Sequence, residues 1–449
     1  MKLSLSEKSL EDVFKTISKG NKEYKKIYPG ESIERQPVTT VYGGAQLFKS
    51  NTTVRIGELG LKAFREFIPN AHVLANILGW KQKDELNEII YNKIEEKLGR
   101  EGVEDFRIDF EDGFGIRPDA EEDETAVNCA NETWKGMQEN TLSPFIGIRI
   151  KTLSDELKYR ALRTLDIYIS TLANLSGGEL PENFVVTLPK ITHEKQVEAF
   201  IEALEILEKK LKMRKGKIKM ELMVETPQSI FGADGKAALL GFVKACKGRC
   251  KAAHFGVYDY TASMDITARL QAMDHTVCDF ARHVMKVSLA GTGVWLSDGA
   301  TNVMPVGPHR GEISEEQRQE NIDTVNKAWK LGYDHIMHSL NQGFYQGWDL
   351  HPAQLPIRYA ACYKFFLDGL DSASIRLKNF IEKAAQATLV GDIFDDAATG
   401  QGLLNYFLRA LNCGAISEDE IAKTGLTLEE VRGRSFLKIL DGRKKGLNG

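Results

Sequence analysis

Short apolar runs that alternate with helical stretches are the feature that most limits what this chain can fold into. They fall at residues 39–42, 106–110, 145–150, 184–188, 219–224, 252–257, 294–296 and 347–350. Each run has the length of a strand, and the intervals between most of them hold helices of about ten residues or more, which implies parallel pairing through crossover connections. Eight such strands predict an α/β fold closed as a (β/α)8 TIM barrel.

One interval is uneven. Between Leu296 and Gly347 the pattern predicts a helix at residues 315–331 and a possible extra strand at 335–337, so either His335 or Gly347 can begin the eighth strand. Ahead of the barrel, Leu10, Val13, Phe14 and Ile17 recur at helical spacing and predict an N-terminal helical arm. After Pro356 the chain reads as helical to its end, apart from breaks at Gly391 and residues 400–402. The expected organisation is an arm at 1–36, a barrel catalytic domain at 37–360 and a C-terminal helical extension at 361–449. With 449 residues and 42% apolar content, one large domain with attached segments and two domains both remain open.

Composition removes several function classes. Lys and Arg number 59 against 63 Asp and Glu, and this lack of a basic excess argues against a nucleic-acid partner. Six cysteines form no paired framework, which points to a reducing compartment. The near pair Cys246 and Cys250 reads as a helix end leading into a strand. Residues 1–20 carry scattered charges and no apolar core of a signal peptide, and no window has the roughly 20 apolar residues of a membrane span. A cytoplasmic protein with no membrane partner is expected.

Functional groups of such a barrel gather beyond the C-terminal ends of its strands. Glu111 and Asp112 follow the second run, Arg149 lies in the third, Lys190 follows the fourth and Glu225 closes the fifth. Asp259, Asp298 and His351 follow the sixth, seventh and eighth. Glu225 and Asp259, on adjacent strands, can offer hard oxygen ligands and leave positions free for water and substrate, as magnesium requires. A cation so held polarises the carbonyl of an oxo-acid. Arg149 presents a planar fork for a carboxylate or enolate oxygen. Glu225 taken alone is equally an N-cap for Thr226-Pro227-Gln228, and Asp259 alone a loop carboxylate. Glu111 and Asp112 fit a supporting place beside metal-bound water or Arg149, and Lys190 either meets a substrate carboxylate or pairs with a neighbouring acid.

Taken in order, residues 35–42 (RQPVTTVY), 108–113 (IDFEDG), 147–151 (GIRIK), 187–191 (TLPKI), 223–227 (MVETP), 255–263 (FGVYDYTAS), 297–300 (SDGA) and 348–354 (WDLHPAQ) resemble the HpcH/HpaI aldolase and citrate lyase β-subunit superfamily, which includes malyl-CoA lyases. The resemblance implies a barrel enzyme that uses Mg2+, or Mn2+ in its place, to cleave or form carbon–carbon bonds in hydroxy-acyl-CoA or hydroxy-oxo-acid substrates. Malate synthase-like condensation and a catalytically silent barrel are the competing readings. It implies Arg149 as the substrate-binding arginine, Glu225 and Asp259 as metal ligands, and Glu111 and Asp112 as the acidic pair beside them. Members are often trimers or hexamers in which a C-terminal segment covers a neighbour's site, and Asp395 or Asp396 resembles the aspartate that segment contributes. A homo-oligomer is therefore expected, with residues 391–412 as a lid.

The sequence departs from the pattern in places. Glu225 and Asp259 stand 34 positions apart, a long interval for the family. Asp265 occupies a position where a glycine is usual. The arm, the insertion at 302–346 containing Pro308-His309-Arg310 and the tail lack counterparts in small citrate lyase subunits. These additions leave open whether the acid is free or carried on CoA.

Overall fold

A strand buried on both faces must be apolar along most of its length, and the runs found in the sequence become strands for that reason. In the structure, a computed structural model, they are β1 (Thr39–Gly44), β2 (Asp105–Asp109), β3 (Phe145–Arg149), β4 (Phe184–Leu188), β5 (Lys219–Val224), β6 (Cys250–Phe255), β7 (Trp295–Ser297) and β8 (Gly347–Asp349). The structure describes every residue except 1–4, 6, 33, 83–84, 383–387, 391–392, 396, 423, 434, 436–437, 440–441 and 443–449. All neighbouring strands run parallel in the order β7-β6-β5-β4-β3-β2-β1-β8. A parallel bridge between Ser297 and Gln346, with Asp298 N donating to Gln346 O at 2.8 Å, brings the two edges together. The result is the expected (β/α)8 barrel.

The barrel interior is ionic rather than purely aliphatic. Along β2, Asp105, Arg107 and Asp109 alternate with Phe106 and Ile108, and all five are buried. Arg107 reaches across the lumen to β5, where Nε and Nη2 donate to Glu221 Oε2 at 3.0 and 2.7 Å. Thr187 of β4 joins the same oxygen at 3.1 Å, and His254 Nε2 of β6 lies 3.2 Å from it. Such a pairing keeps buried charges tolerable only because each meets a partner.

The uneven interval resolves into one helix, Glu315–Asn341, and β8 begins at Gly347. His335 sits inside that helix rather than in a strand, and its Nδ1 lies 2.9 Å from Thr301 Oγ1. Ser314 and Gln317 form a capping box at its start, and Val325, Ala328, Trp329, Ile336 and Leu340 fill a buried face at helical spacing. Cys246 and Cys250 lie where a helix (Leu239–Ala245) gives way to β6, and both thiols are free.

At the N-terminal end of the barrel, Glu104 takes the Val38 N–H at 2.6 Å and pairs with Lys97 at 2.6 Å and Arg35 at 2.8 Å. Past β8, helices Leu355–Leu367 and Leu370–Glu382 precede an antiparallel strand pair, Thr388–Val390 with Ile393–Asp395, and a helix, Ala397–Asn412. That last helix buries Leu404, Phe407 and Ala410, and its Tyr406 hydroxyl donates to Phe366 O. Its Arg409 donates to Gln36 and lies over the Tyr345 ring at 5.0 Å. Gln36 and Tyr345 precede β1 and β8, so the helix is fastened to the end of the barrel opposite the mouth.

Candidate active site

Beyond the C-terminal ends of β1–β3, β5, β6 and β8 lies a cavity of about 320 Å³. Its lining includes Tyr42, Asp109, Asp112, Arg149, Glu225 and Asp259, with Trp348 on the β8 side. Six residues singled out in the sequence meet at this mouth: Glu111, Asp112, Arg149, Lys190, Glu225 and Asp259. Asp396 lies outside the described residues.

Arg149, the last residue of β3, is buried and held from below. Its Nε donates to Asp109 Oδ1 at 2.7 Å and its Nη2 to Asp109 Oδ2 at 2.5 Å. Nη1 lies 3.1 Å from Glu111 Oε2 and 3.6 Å from Asp112 Oδ2. The guanidinium also sits 4.9 Å from the centre of the Tyr42 ring. Burial opposes its charge, but Asp109 outweighs burial and holds its pKa well above the ordinary value. Asp109 further takes the N–H groups of Glu111 and Gly113, at 3.0 and 2.8 Å, and so shapes the loop after β2. A Cβ on Gly113 would fall 2.6 Å from Asp109 Oδ2, which is why that turn needs a glycine.

Lys190 follows β4 with a φ of 49°, a left-handed conformation uncommon outside glycine. This turn aims its N–H at Glu225 Oε1, 2.7 Å away. Its ammonium stands among the acids: 2.5 Å from Glu111 Oε1, 3.3 Å from Asp112 and 3.3 Å from Asp259 Oδ2. Burial opposes its charge, while Glu225 and Glu111 raise its pKa above the usual value.

Glu225 comes directly after β5 and is only 1% exposed. Burial pushes its carboxyl up to about 8; Asp259 and Glu111 add to that, while Lys190 and Arg149 oppose it. Gly256 permits its position, since a Cβ there would lie 2.5 Å from the Glu225 Cβ. Asp259 stands in the first turn of the helix Val257–Ser263 and is 40% exposed. Burial, with Asp112 adding, raises the Glu111 carboxyl to about 7 against the pull of Arg149 and Lys190. Among the described residues, no group of three or more His, Cys, Asp or Glu side chains could hold a metal. The ammonium of Lys190, sitting among carboxylates, shows instead that the mouth accepts positive charge.

Two residues expected at the mouth face elsewhere. Asp298 is fully buried, taking Arg282 Nε at 2.9 Å, and His351 Nδ1 accepts the Ala353 N–H at 3.2 Å as a cap. Asp109, Tyr42 and Trp348, which carried no role in the sequence reading, do line the cavity. The Trp348 ring lies 4.6 Å from Tyr42, and its Nε1 donates to His254 Nδ1 at 3.1 Å, which fixes its orientation. Asp265 has a φ of 59°, the left-handed region that glycine favours and aspartate tolerates.

A family profile described as a domain of unknown function, DUF6986, matches residues 17–439. No curated protein sequence matches the chain. Among solved structures, a citrate lyase from Burkholderia xenovorans LB400 is similar at a TM-score of 0.56 and 16% identity, over 89% of this chain and 100% of that one. At this identity the likeness concerns the fold. CitE of Mycobacterium tuberculosis, solved with magnesium, acetoacetate and coenzyme A, gives 0.46 and 13% over 84% of this chain and 99% of that one. Haloferax volcanii malate synthase, solved as a magnesium/glyoxylate complex, gives 0.43 and 13% over 90% and 96%. No described helix is long and apolar enough to cross a membrane.

Proposed function

The chain belongs to the DUF6986 family, and from the residues at its barrel mouth we propose that it is a magnesium-dependent carbon–carbon lyase or aldolase acting on a hydroxy-acyl or hydroxy-oxo-acid. The observation that carries this reading is the convergence of Glu225, Asp259 and Arg149 on one cavity. Glu225 and Asp259 would hold the cation, with water and substrate completing its shell, an arrangement usual for magnesium. Bound there, the ion supplies a Lewis acid to the oxygens of a chelating acid.

The chain's own residues do the rest. Breaking the carbon–carbon bond turns the hydroxyl-bearing carbon into a carbonyl as its hydroxyl proton passes to water, and leaves an electron pair on a carbon beside a carbonyl that then takes a proton back; until it does, negative charge gathers on that carbonyl's oxygen. Arg149, locked by Asp109, and Lys190, locked by Glu111, set two fixed cations beside the cavity, and such preorganised groups favour the charge as it develops. Glu111 and Asp112 orient both cations. Tyr42 and Trp348 form an aromatic wall that limits water. A cavity of about 320 Å³ takes the small acid, so that a CoA carrier, where the substrate has one, lies along the rim. The expected assembly is a trimer or hexamer.

The test is calorimetry with Mg2+ alone, together with turnover of hydroxy-acyl-CoA thioesters and free hydroxy-oxo-acids with and without excess EDTA. Magnesium binding, and cleavage that EDTA abolishes and Mg2+ or Mn2+ restores, is expected. Full activity in chelator refutes the metal role. Product only from glyoxylate plus acetyl-CoA makes the enzyme a condensing one.

A further inference from the structure

The helix Glu7–Ile27 meets the barrel at its last turn, where Lys26 and Ile27 line a cavity with Leu240, Val243 and Lys244, and the turns before it extend into solvent. Its root is fixed where Gly30 N donates to Gly291 O at 2.9 Å and Glu34 pairs with Lys251 at 2.7 Å, while every side chain from Glu11 to Ile27 is exposed. Phe14, Ile17 and Tyr24 are 51, 52 and 61% exposed, a heavy apolar load for a solvated helix. Most of a helix's stability in a protein comes from packing its apolar face, and an uncovered apolar stripe marks an interaction surface.

The pattern on the helix states what covers it. Leu10, Val13, Ile17, Gly20, Tyr24 and Ile27 follow the alternating three- and four-residue steps of a coiled-coil seam, and the charged residues fall on the remaining faces. A seam this narrow fits another helix better than a broad protein surface. The charges are sorted by end: Glu7, Glu11 and Asp12 dominate the first half, while Lys15, Lys19, Lys22, Lys25 and Lys26 dominate the second.

We propose that the arm pairs antiparallel with the arm of a second copy of this chain. Leu10 then faces the partner's Ile27, Val13 the partner's Tyr24, and Ile17 the partner's Gly20. Each level joins an early seam position to a late one, and large residues meet smaller ones in two of the three. Gly20, around which a Cβ would meet nothing within 4 Å, leaves room for the two backbones to approach. The same register sets Glu11 level with the partner's Lys26 and Asp12 level with the partner's Lys25. A parallel pair would set the basic halves side by side. The contact is self-complementary, as a two-fold interface requires. An anionic membrane would meet the acidic half as well as the basic half, which favours the protein partner over lipid.

Sedimentation equilibrium of the full chain tests this against Val13→Glu/Ile17→Glu, a variant altered only on the exposed stripe and expected to keep its Tm. The paired arms join two otherwise separate assemblies, so the wild type should have twice the mass of the variant, a hexamer against a trimer where the barrels associate as trimers. Equal masses would overturn the pairing. Leu10→Cys mixed with Ile27→Cys should cross-link on oxidation, and Leu10→Cys alone should not. Cross-linking of Leu10→Cys alone would show a parallel pair and overturn the register. Flotation of wild type, but not variant, with phosphatidylserine vesicles at unchanged protein mass would assign the stripe to a membrane instead.

Discussion

Asp109 takes both Nε and Nη2 of Arg149, at 2.7 and 2.5 Å, so the fork of this arginine is closed from within the protein. What remains for a ligand is the Nη1 edge, shared with Glu111 and Asp112. The planar fork that the sequence suggested for substrate therefore serves first to lock the cation in place, and its catalytic value lies in not having to move when charge appears.

Replacing Arg149 by Lys keeps the charge and loses that lock, because an ammonium cannot meet both Asp109 oxygens in parallel. The expected loss in kcat is about 100-fold, the scale of removing one preorganised donor. Steady-state rates on the substrate identified by the cleavage assay decide it. A variant within about twofold of wild type would return Arg149 to a structural part.

Gly256→Ala should act on Glu225 without touching its chemistry. The added Cβ would lie 2.5 Å from the Glu225 Cβ and 2.6 Å from Oε2, so the carboxylate must shift. Magnesium affinity measured by calorimetry should fall about 10-fold or more, the range for losing a group that orients a ligand, with the far-UV spectrum unchanged. Unaltered affinity would argue that Glu225 is not a ligand.

How far the sequence disclosed all this follows from what each residue must satisfy. The bounds of β4 and β5 coincide with the apolar runs at 184–188 and 219–224, because strands buried on both faces leave a continuous signature. The helix Glu315–Asn341 runs past its expected end with Ile336 and Leu340 continuing its buried face, and the polar His335 beside them is accommodated by Thr301, a partner 34 positions away that no local pattern shows. The charged interior stayed hidden for the same reason: Arg107 looks like a break in an apolar run until Glu221 is brought opposite it from β5. The rule that barrel strands end in functional groups puts Asp298 and His351 at the mouth. An ionisable residue at a strand end can equally anchor a helix, as Asp298 does through Arg282 of the helix Thr276–Leu289, or cap one, as His351 does.

Glu104 fastens the opposite end of the barrel, and its removal exposes what it neutralises. Glu104→Ala leaves Lys97, 5% exposed, and Arg35 with one acid, Glu101, and frees the Val38 N–H. Breaking a buried pair from one side costs about 3–5 kcal/mol. Urea unfolding should show a loss of that order, and a change below about 1 kcal/mol would mean that Glu101 alone suffices.

Glu101 sets a pH dependence in the same cluster. Burial opposes its ionisation, but Arg35 and Lys97 outweigh burial and lower the carboxyl to about 2. A depressed folded pKa contributes stability above the unfolded value, near 4.5, that is lost as pH falls toward 2. The side chain is 25% exposed, and with screening the contribution is on the order of 2 kcal/mol. The stability gap between wild type and Glu101→Gln should thus be widest at neutral pH and shrink steadily as the solution is acidified below the unfolded value. A gap that holds constant down to strongly acidic pH would contradict the assigned pairing.

The helix Ala397–Asn412 offers a last prediction, since the expected lid at 391–412 includes it. Phe407 is fully buried, Tyr406 is tied to Phe366 O, and Arg409 reaches Gln36 at the N-terminal end of the barrel. A segment fastened there cannot also fold over the mouth of its own barrel, where Glu225 and Asp259 stand at the other end of the strands. Phe407→Ala should therefore behave as a core truncation, costing about 3–5 kcal/mol, with Tm lowered while kcat and KM of the folded fraction stay as in wild type. Differential scanning calorimetry and kinetics well below the new Tm separate the two effects. If turnover collapses while Tm holds, the helix works as a lid, and because its own mouth is out of reach the site it closes must be that of another subunit.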